Sequence, residues 1–215
     1  MAQERELNAT DAAEGSDPPI VAFDFDGTMT VRDSYTAFLK WRTPPLAWAL
    51  GGLRLIPAGV AYLFHRDRGR IKEDATKVFL GGVTRERLEA DARAFAEATS
   101  RSLLRPDAVI AWKRWRNERV RLIIVTASPE VVVAPFGRGL GADEVLGTHL
   151  AYDASDRITG RFVGPNNRGP EKVVTLNARY GEGVRLRAAY GDTDGDTEML
   201  AIAEEPYYRV FTDKP

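Results

Sequence analysis

Ile20-Val21-Ala22-Phe23-Asp24-Phe25-Asp26-Gly27-Thr28 is the stretch from which the fold can be read. Its first four residues form an apolar run of strand length. Two carboxylates follow at i and i+2, where that strand ends. On an extended chain those positions point to the same side. Two ionised carboxylates facing one way repel each other, so a fold that keeps both needs a cation or a shared proton between them. Gly27 allows a sharp turn that brings backbone amides close to an anion. A strand ending in two acids, a glycine and a hydroxyl therefore points to chemistry on a phosphate beside a metal. An ordinary polar turn uses the same residue types, so the rest of the chain has to decide.

Three later stretches carry further functional groups, two at the ends of strands and one at the start of a helix. Val120 to Val125 is β-branched and apolar and runs into Thr126-Ala127-Ser128-Pro129, small hydroxyl residues with a helix start at Pro129. A helix N-terminus there would aim free amides at an anion, although Ser128 as a plain helix cap fits too. Asn166-Asn167-Arg168-Gly169-Pro170-Glu171-Lys172 enters a helix with Pro170 at its first position. Lys172 in that first turn opposes the helix dipole, which a bound phosphate would explain. Leu186 to Tyr190 is a further strand, followed by Gly191-Asp192-Thr193-Asp194-Gly195-Asp196. The acids at alternate positions suggest a calcium loop, but the glycine falls fourth and the twelfth position is Ala203. Gly-Asp with a second Asp four later fits magnesium at a sheet edge better. Tyr207 to Phe211 reads as a last strand.

Other motifs are set aside. Gly137-Arg138-Gly139-Leu140-Gly141 follows a helix and precedes the strand Glu144-Val145-Leu146, the reverse of a dinucleotide loop, and reads as a helix stop. His149 to Tyr152 and Ile158 to Val163 read as a hairpin around Ser155-Asp156. His65 and His149 have no ligand-like partner spacing. The 215 residues carry a net charge of −1, which leaves no basic field for nucleic acid. There is no cysteine, which excludes disulfides, a thiolate nucleophile and cysteine-bound zinc, and fits an intracellular protein. Residues 1–18 are polar and acidic with no apolar stretch, and read as a disordered tail; the sequon at Asn8 has no secretion signal to go with it.

Between the first two strands the pattern turns helical, from about 33 to 117. Asp33 or Thr30 can cap a helix through Tyr35, Phe38 and Trp41, and Asp33 fits a substrate-facing position equally well. Ile71 to Phe79, Thr84 to Thr99 and Pro106 to Trp115 read as three further helices. Leu46 to Phe64 stands apart: its one charge is Arg54, and Gly51-Gly52, Pro57 and Gly59 interrupt it. Three readings fit: short helices buried in a cap, a segment lying on or dipping into a bilayer, or a span. Lys40, Arg42, Arg54, Arg66, Arg68, Arg70 and Lys72 surround it against a single acid, Asp67, which suits an anionic lipid face as well as a solvated basic surface.

Taken in order, the acid pair, the strand ending in Thr126, Lys172 at a helix start and Gly191-Asp192 with Asp196 resemble the haloacid dehalogenase (HAD) superfamily of phosphatases. The match runs from Ile20 nearly to the end. The insertion resembles that of the C1-capped group that includes phosphoserine phosphatase. The finer likeness is to subfamily IB, of the phosphatidylglycerophosphatase C and CicA type. The resemblance implies an α/β fold: a Rossmann-like parallel sheet core from 19–32 and 118–215 with helices on both faces, and a helical cap from 33–117. It implies Asp24 as nucleophile and Asp26 as the acid and base. Mg2+ would be held by Asp24, the Asp26 carbonyl and Asp192, with Asp196 in support. Thr126, the Ala127 amide and Lys172 would hold the phosphoryl oxygens. Asp33 stands where phosphoserine phosphatase has a substrate-facing Glu, and Ala127-Ser128 replaces a pair of glycines; both departures weigh against phosphoserine itself.

The substrate so implied is a phosphate monoester, with phosphatidylglycerophosphate, an anionic lipid, as first choice and a small soluble ester as the alternative. A cytoplasmic location at the inner membrane face goes with the lipid reading. A fold kept without turnover, as a phosphate-binding or membrane scaffold, is a third possibility, against which stands the presence of every motif acid.

Overall fold

A computed structural model describes residues 17–65 and 68–215, with His65 and Arg68 described by backbone alone. The tail expected over 1–18 therefore lies outside the described residues except for Asp17 and Pro18, as do Asn8, Arg66 and Asp67.

Six strands form one sheet: β1 (Ile20–Phe23), β2 (Arg121–Pro129), β3 (Glu144–Tyr152), β4 (Ile158–Val163), β5 (Leu186–Gly191) and β6 (Ala203–Tyr208). Their order is β4-β3-β2-β1-β5-β6. All neighbours run parallel except β3 and β4, which form the hairpin expected around Ser155-Asp156. Parallel strands need both faces covered, and the strand sequences show it. Val21, Phe23, Leu122 and Ile124 enter one hydrophobic cluster, while Ala22, Ile123 and Val125 enter another on the opposite face. The period of two along each strand divides the side chains between them.

The second cluster is closed by Leu176 from α8 (Pro170–Tyr180) and by Met199 and Leu200 from α9 (Thr197–Ala201). The first is closed by α7 (Glu130–Leu140) together with helices inserted between β1 and β2. These are α1 (Ser34–Arg42), α2 (Pro45–Arg54), α3 (Ile56–His65), α4 (Arg68–Leu80), α5 (Arg85–Leu103) and α6 (Pro106–Arg116). They divide by what they cover. Trp112 of α6 packs edge-on against Phe23 of β1, with ring centres 5.1 Å apart. Phe95 of α5 meets both Phe38 of α1 and Phe136 of α7. Helices α2 to α4 instead overhang the ends of the strands, with Trp48 stacked on Phe79.

Several local expectations shift. β2 continues through Thr126-Ala127-Ser128 to Pro129, with an irregularity in its pairing to β3 after Val125. β3 is one strand from Glu144 to Tyr152, where the sequence suggests a strand followed by a separate hairpin arm. Gly137 and Gly139 lie inside α7, and Gly141 alone ends it in the left-handed conformation. The last strand is Ala203–Tyr208, not Tyr207 to Phe211. Pairing with β5 sets its register, and the chain turns away at Arg209, whose φ is 55°. Residues 212–213 then give their amides to Asp107.

The stretch Leu46 to Phe64 forms α2 and most of α3, bent by 46° at Leu55. Burial in the core of a cap fails for its outer side: Leu46, Leu63 and Phe64 are 74%, 73% and 80% exposed. Among the described residues no single helix is long and apolar enough to cross a membrane; only this bent pair reaches the length and composition jointly.

Candidate active site

The site lies at the C-terminal ends of β1, β2 and β5, where a parallel sheet opens toward solvent. β1 is central, so Asp24 leaves the sheet between the two flanking strands, and its amide still donates to the Tyr190 carbonyl at 2.9 Å. Phe25–Met29 then forms one tight turn, with Gly27 at φ 89°. A side chain at Gly27 would need that left-handed conformation and would also place its Cβ 2.3 Å from Asp192 Oδ2. The glycine is thus what allows the first motif to close on the last.

Carboxylate oxygens of Asp24, Asp192 and Asp196 lie within 4.8 Å of one another, so these three acids could hold a metal ion. Their protein contacts are unequal. Asp196 is saturated: one oxygen accepts Lys172 Nζ at 2.6 Å, and the other takes the amides of Asp192 and Thr193 and the Thr193 hydroxyl. Asp192 receives one contact, the Thr28 hydroxyl at 3.2 Å. Asp24 accepts Lys172 Nζ at 2.6 Å and Thr28 Oγ1 at 3.0 Å. Thr28 has a single proton for both acids, so it serves one at a time.

The electrostatics follow from burial. Burial pushes the Asp24 carboxyl up to about 7, against the pull of Lys172 and with the push of Asp196 and Asp26. Burial also raises Asp192, helped by Asp196. Burial would raise Asp196 as well, but Lys172 together with the Thr193 and Asp192 amides holds that group below the ordinary carboxylate range. Lys172, 1% exposed, stays charged because Asp24 and Asp196 outweigh its own desolvation. Three acids around one ammonium leave an excess of negative charge, which a divalent ion would neutralise.

Asp26 points elsewhere. Its Oδ1 accepts the Ser34 amide at 2.6 Å, at the start of α1, and its Oδ2 accepts the Ser128 hydroxyl. Burial raises its pKa, with Asp33 adding to the rise. Asp33 caps α1, its Oδ1 accepting the Thr36 amide at 2.6 Å, and the residue also lines the cavity over the acids. Ala127 lines the cavity too, whereas Thr126 is fully buried and accepts the Ser128 amide at 3.1 Å. Lys172 Nζ also donates to the Val125 carbonyl, which fixes it under the end of β2.

The cavity encloses about 510 Å3. Its floor carries Asp24, Asp26, Lys172 and Asp196; its roof carries Trp48, Leu55 and Tyr62 of the overhanging helices and their junction. Sequence reasoning did not find the partners of three polar neighbours. Ser128, read only as a cap, holds Asp26. Thr28 bridges the first and last motifs. Lys72 of α4 reaches from the overhang to donate to the Ala127 carbonyl at 3.3 Å, and lies 4.0 Å from Asp33. Nothing in the local pattern marks Lys72, because its partners are distant in the chain.

A parallel sheet with buried acids at the ends of adjacent strands and a helical insertion after the first strand defines the haloacid dehalogenase-like hydrolases. The chain belongs to that family: its model matches residues 21–201. Over 201 residues the chain is 57% identical to the protein CicA of Caulobacter vibrioides, covering 94% of this chain and 90% of that one. Among solved structures it is similar to a protein of unknown function from Bordetella pertussis Tohama I, with a TM-score of 0.71 and 23% identity over 89% of each chain. A substrate-bound phosphoserine phosphatase complex matches with a TM-score of 0.60 and 16% identity, over 90% of this chain and 86% of that one. These structural likenesses concern the fold.

Proposed function

We propose that the protein is a phosphomonoesterase that works through an aspartyl-phosphate, with Asp24 as nucleophile. The observation that carries the reading is that Asp24, Asp26 and Lys172 line one cavity while the Asp192 carboxylate lies within 4.8 Å of that of Asp24. Asp24 attacks phosphorus, the ester P–O bond breaks, and Asp26 gives its proton to the leaving alkoxide. Asp26 then takes a proton from water, whose oxygen attacks phosphorus and restores the Asp24 carboxylate. Lys172 and the Ala127 amide, with Thr126 behind them, face the phosphoryl oxygens as charge redistributes. Mg2+, held by Asp24, Asp192 and the Asp26 carbonyl, would offset the repulsion between Asp24 and a phosphate dianion. Asp196 supports that site by holding Lys172 and the Asp192 amide. The helices of 33–117 act as its cap, with α2 to α4 as the part over the substrate.

The substrate we favour is phosphatidylglycerophosphate, hydrolysed to phosphatidylglycerol at the cytoplasmic face of a membrane. The helix pair α2–α3 supports it. Leu46, Leu50, Leu53, Val60 and Leu63 are exposed on its outer side, while Trp48 and Tyr62 turn inward to the cavity. One side would meet lipid while the other receives the substrate's apolar part. Lys40 and Arg54 are exposed beside that surface and suit anionic headgroups.

Phosphate release from p-nitrophenyl phosphate, phosphoserine and phosphatidylglycerophosphate in micelles tests both levels. Turnover should need Mg2+, and Asp24→Asn should lower it by on the order of 10³-fold with the fold intact. Equal rates for wild type and Asp24→Asn on every ester would overturn the phosphatase reading. Cleavage of soluble esters alone would leave the phosphatase and remove the lipid.

A further inference from the structure

A second, polar cavity of about 840 Å3 opens beside the catalytic one, and Tyr62, Asn166 and Arg168 line both. Arg70, Arg161 and Arg168 stand around it with two carboxylates, Glu73 and Asp194. Both carboxylates are already engaged. Glu73 accepts the Phe162 amide at 2.8 Å and Arg161 Nη1 at 3.3 Å, and Asp194 accepts Arg168 Nη2. Each contact uses one of a guanidinium's five N–H groups, so Arg161 and Arg168 are aimed by their acids with donors to spare. A planar fork of that kind matches phosphate oxygens.

The wall between the cavities is built firmly. Asn167 is 2% exposed; its amide donates to Thr148 Oγ1 and its side chain to the Leu146 carbonyl. Thr148 donates in turn to Asn166 Oδ1 at 2.9 Å. Arg168 lies across Gly195, where a Cβ would come within 2.7 Å of its Nε. The turn that carries Asp196 thus leaves room for the arginine at the junction.

We propose that this annex binds a second anionic group of the substrate, a phosphodiester linked through a short polyol to the scissile monoester. The proposal rests on the phosphomonoesterase reading and names what that enzyme selects. Arg161 and Arg168 grip the diester while the monoester reaches Asp24. A substrate with one anion leaves the annex to water and gains nothing from it.

Two water-soluble esters without acyl chains test this on the full-length protein with Mg2+: glycerol 3-phosphate, and glycerophosphoglycerol phosphate, which adds the diester. The two-anion ester should have a kcat/KM larger by on the order of tenfold, mainly through KM, as charge-assisted hydrogen bonds would give. High salt should shrink the gap, and Arg161→Gln should reduce it several-fold. Equal kcat/KM values, or a gap that Arg161→Gln leaves intact, would overturn the proposal. Calorimetric affinities of both esters for Asp24→Asn separate it from the reading beneath it. A retained affinity gap without wild-type turnover sinks only the monoesterase. Turnover without any gap sinks only the annex.

Discussion

Lys172 Nζ donates to Asp24 Oδ1 at 2.6 Å across 148 positions of the chain, with both side chains buried. The same nitrogen bonds Asp196 at 2.6 Å, so one ammonium ties the first motif to the last. Replacing it with methionine leaves two buried carboxylates without their cation. Removing one partner of a buried pair costs about 3–5 kcal/mol. Lys172→Met should therefore lose stability of that order in urea unfolding of metal-free protein. A loss below about 1 kcal/mol would show that the pair is not closed to water.

Metal and pH should act against each other. The metal-free Asp24 carboxyl sits at about 7, above its ordinary 3.8. A raised folded-state pKa means that the folded protein binds a proton the unfolded chain has released between those values. The stability it contributes is full below about pH 4 and is lost as pH rises through 7. In chelator, the melting temperature should fall between pH 5.5 and 8. Mg2+ must displace that proton, so its affinity should rise over the same interval and offset the loss. A metal-free melting temperature that climbs through pH 7 would contradict the burial of this group.

Ser128 is a positioning residue for Asp26, which it holds through its hydroxyl while the Ser34 amide holds the other oxygen. General acid–base steps contribute about 10²–10⁴-fold, and a misaligned acid loses part of that. Ser128→Ala should lower kcat by roughly tenfold with little change in KM. The loss should be larger for a poor alkoxide leaving group than for p-nitrophenolate, which needs less protonation. An equal loss on both would indicate a structural role only.

Leu53 and Ile56 flank the bend of the exposed helix pair, 62% and 57% exposed. Wild-type protein should float with liposomes rich in phosphatidylglycerol, and Leu53→Glu with Ile56→Glu should stay in solution, since glutamates there would enter the apolar layer and face anionic lipid. Wild type that remains in solution with every lipid would remove the membrane from the proposal.

The parallel sheet, the strand-end acids and the helix opening at Pro170 were legible because they depend on neighbouring residues. A short apolar run makes a strand, i and i+2 set a common side, and proline fits a first helical position. Strand ends were less legible. The final strand follows its register with β5, so Tyr207 to Phe211 misplaced it by several residues. Gly137 and Gly139 looked like a stop but remain helical, since Gly137 lets α7 approach Val145 closely.

What the amino-acid order determined by itself is the family, the sheet and the identity of the acids. Which acid each donor serves was decided only by folding. Asp24 and Asp196 share Lys172, Asp26 turns away to Ser128, and Asp33 both caps a helix and faces the cavity. Lys72 meets Ala127 across 55 residues, and Arg168 stands between two cavities. The physical reason is range. Propensity and spacing act over a few residues, whereas a carboxylate's partner is whichever donor the packed sheet and helices bring within 3 Å.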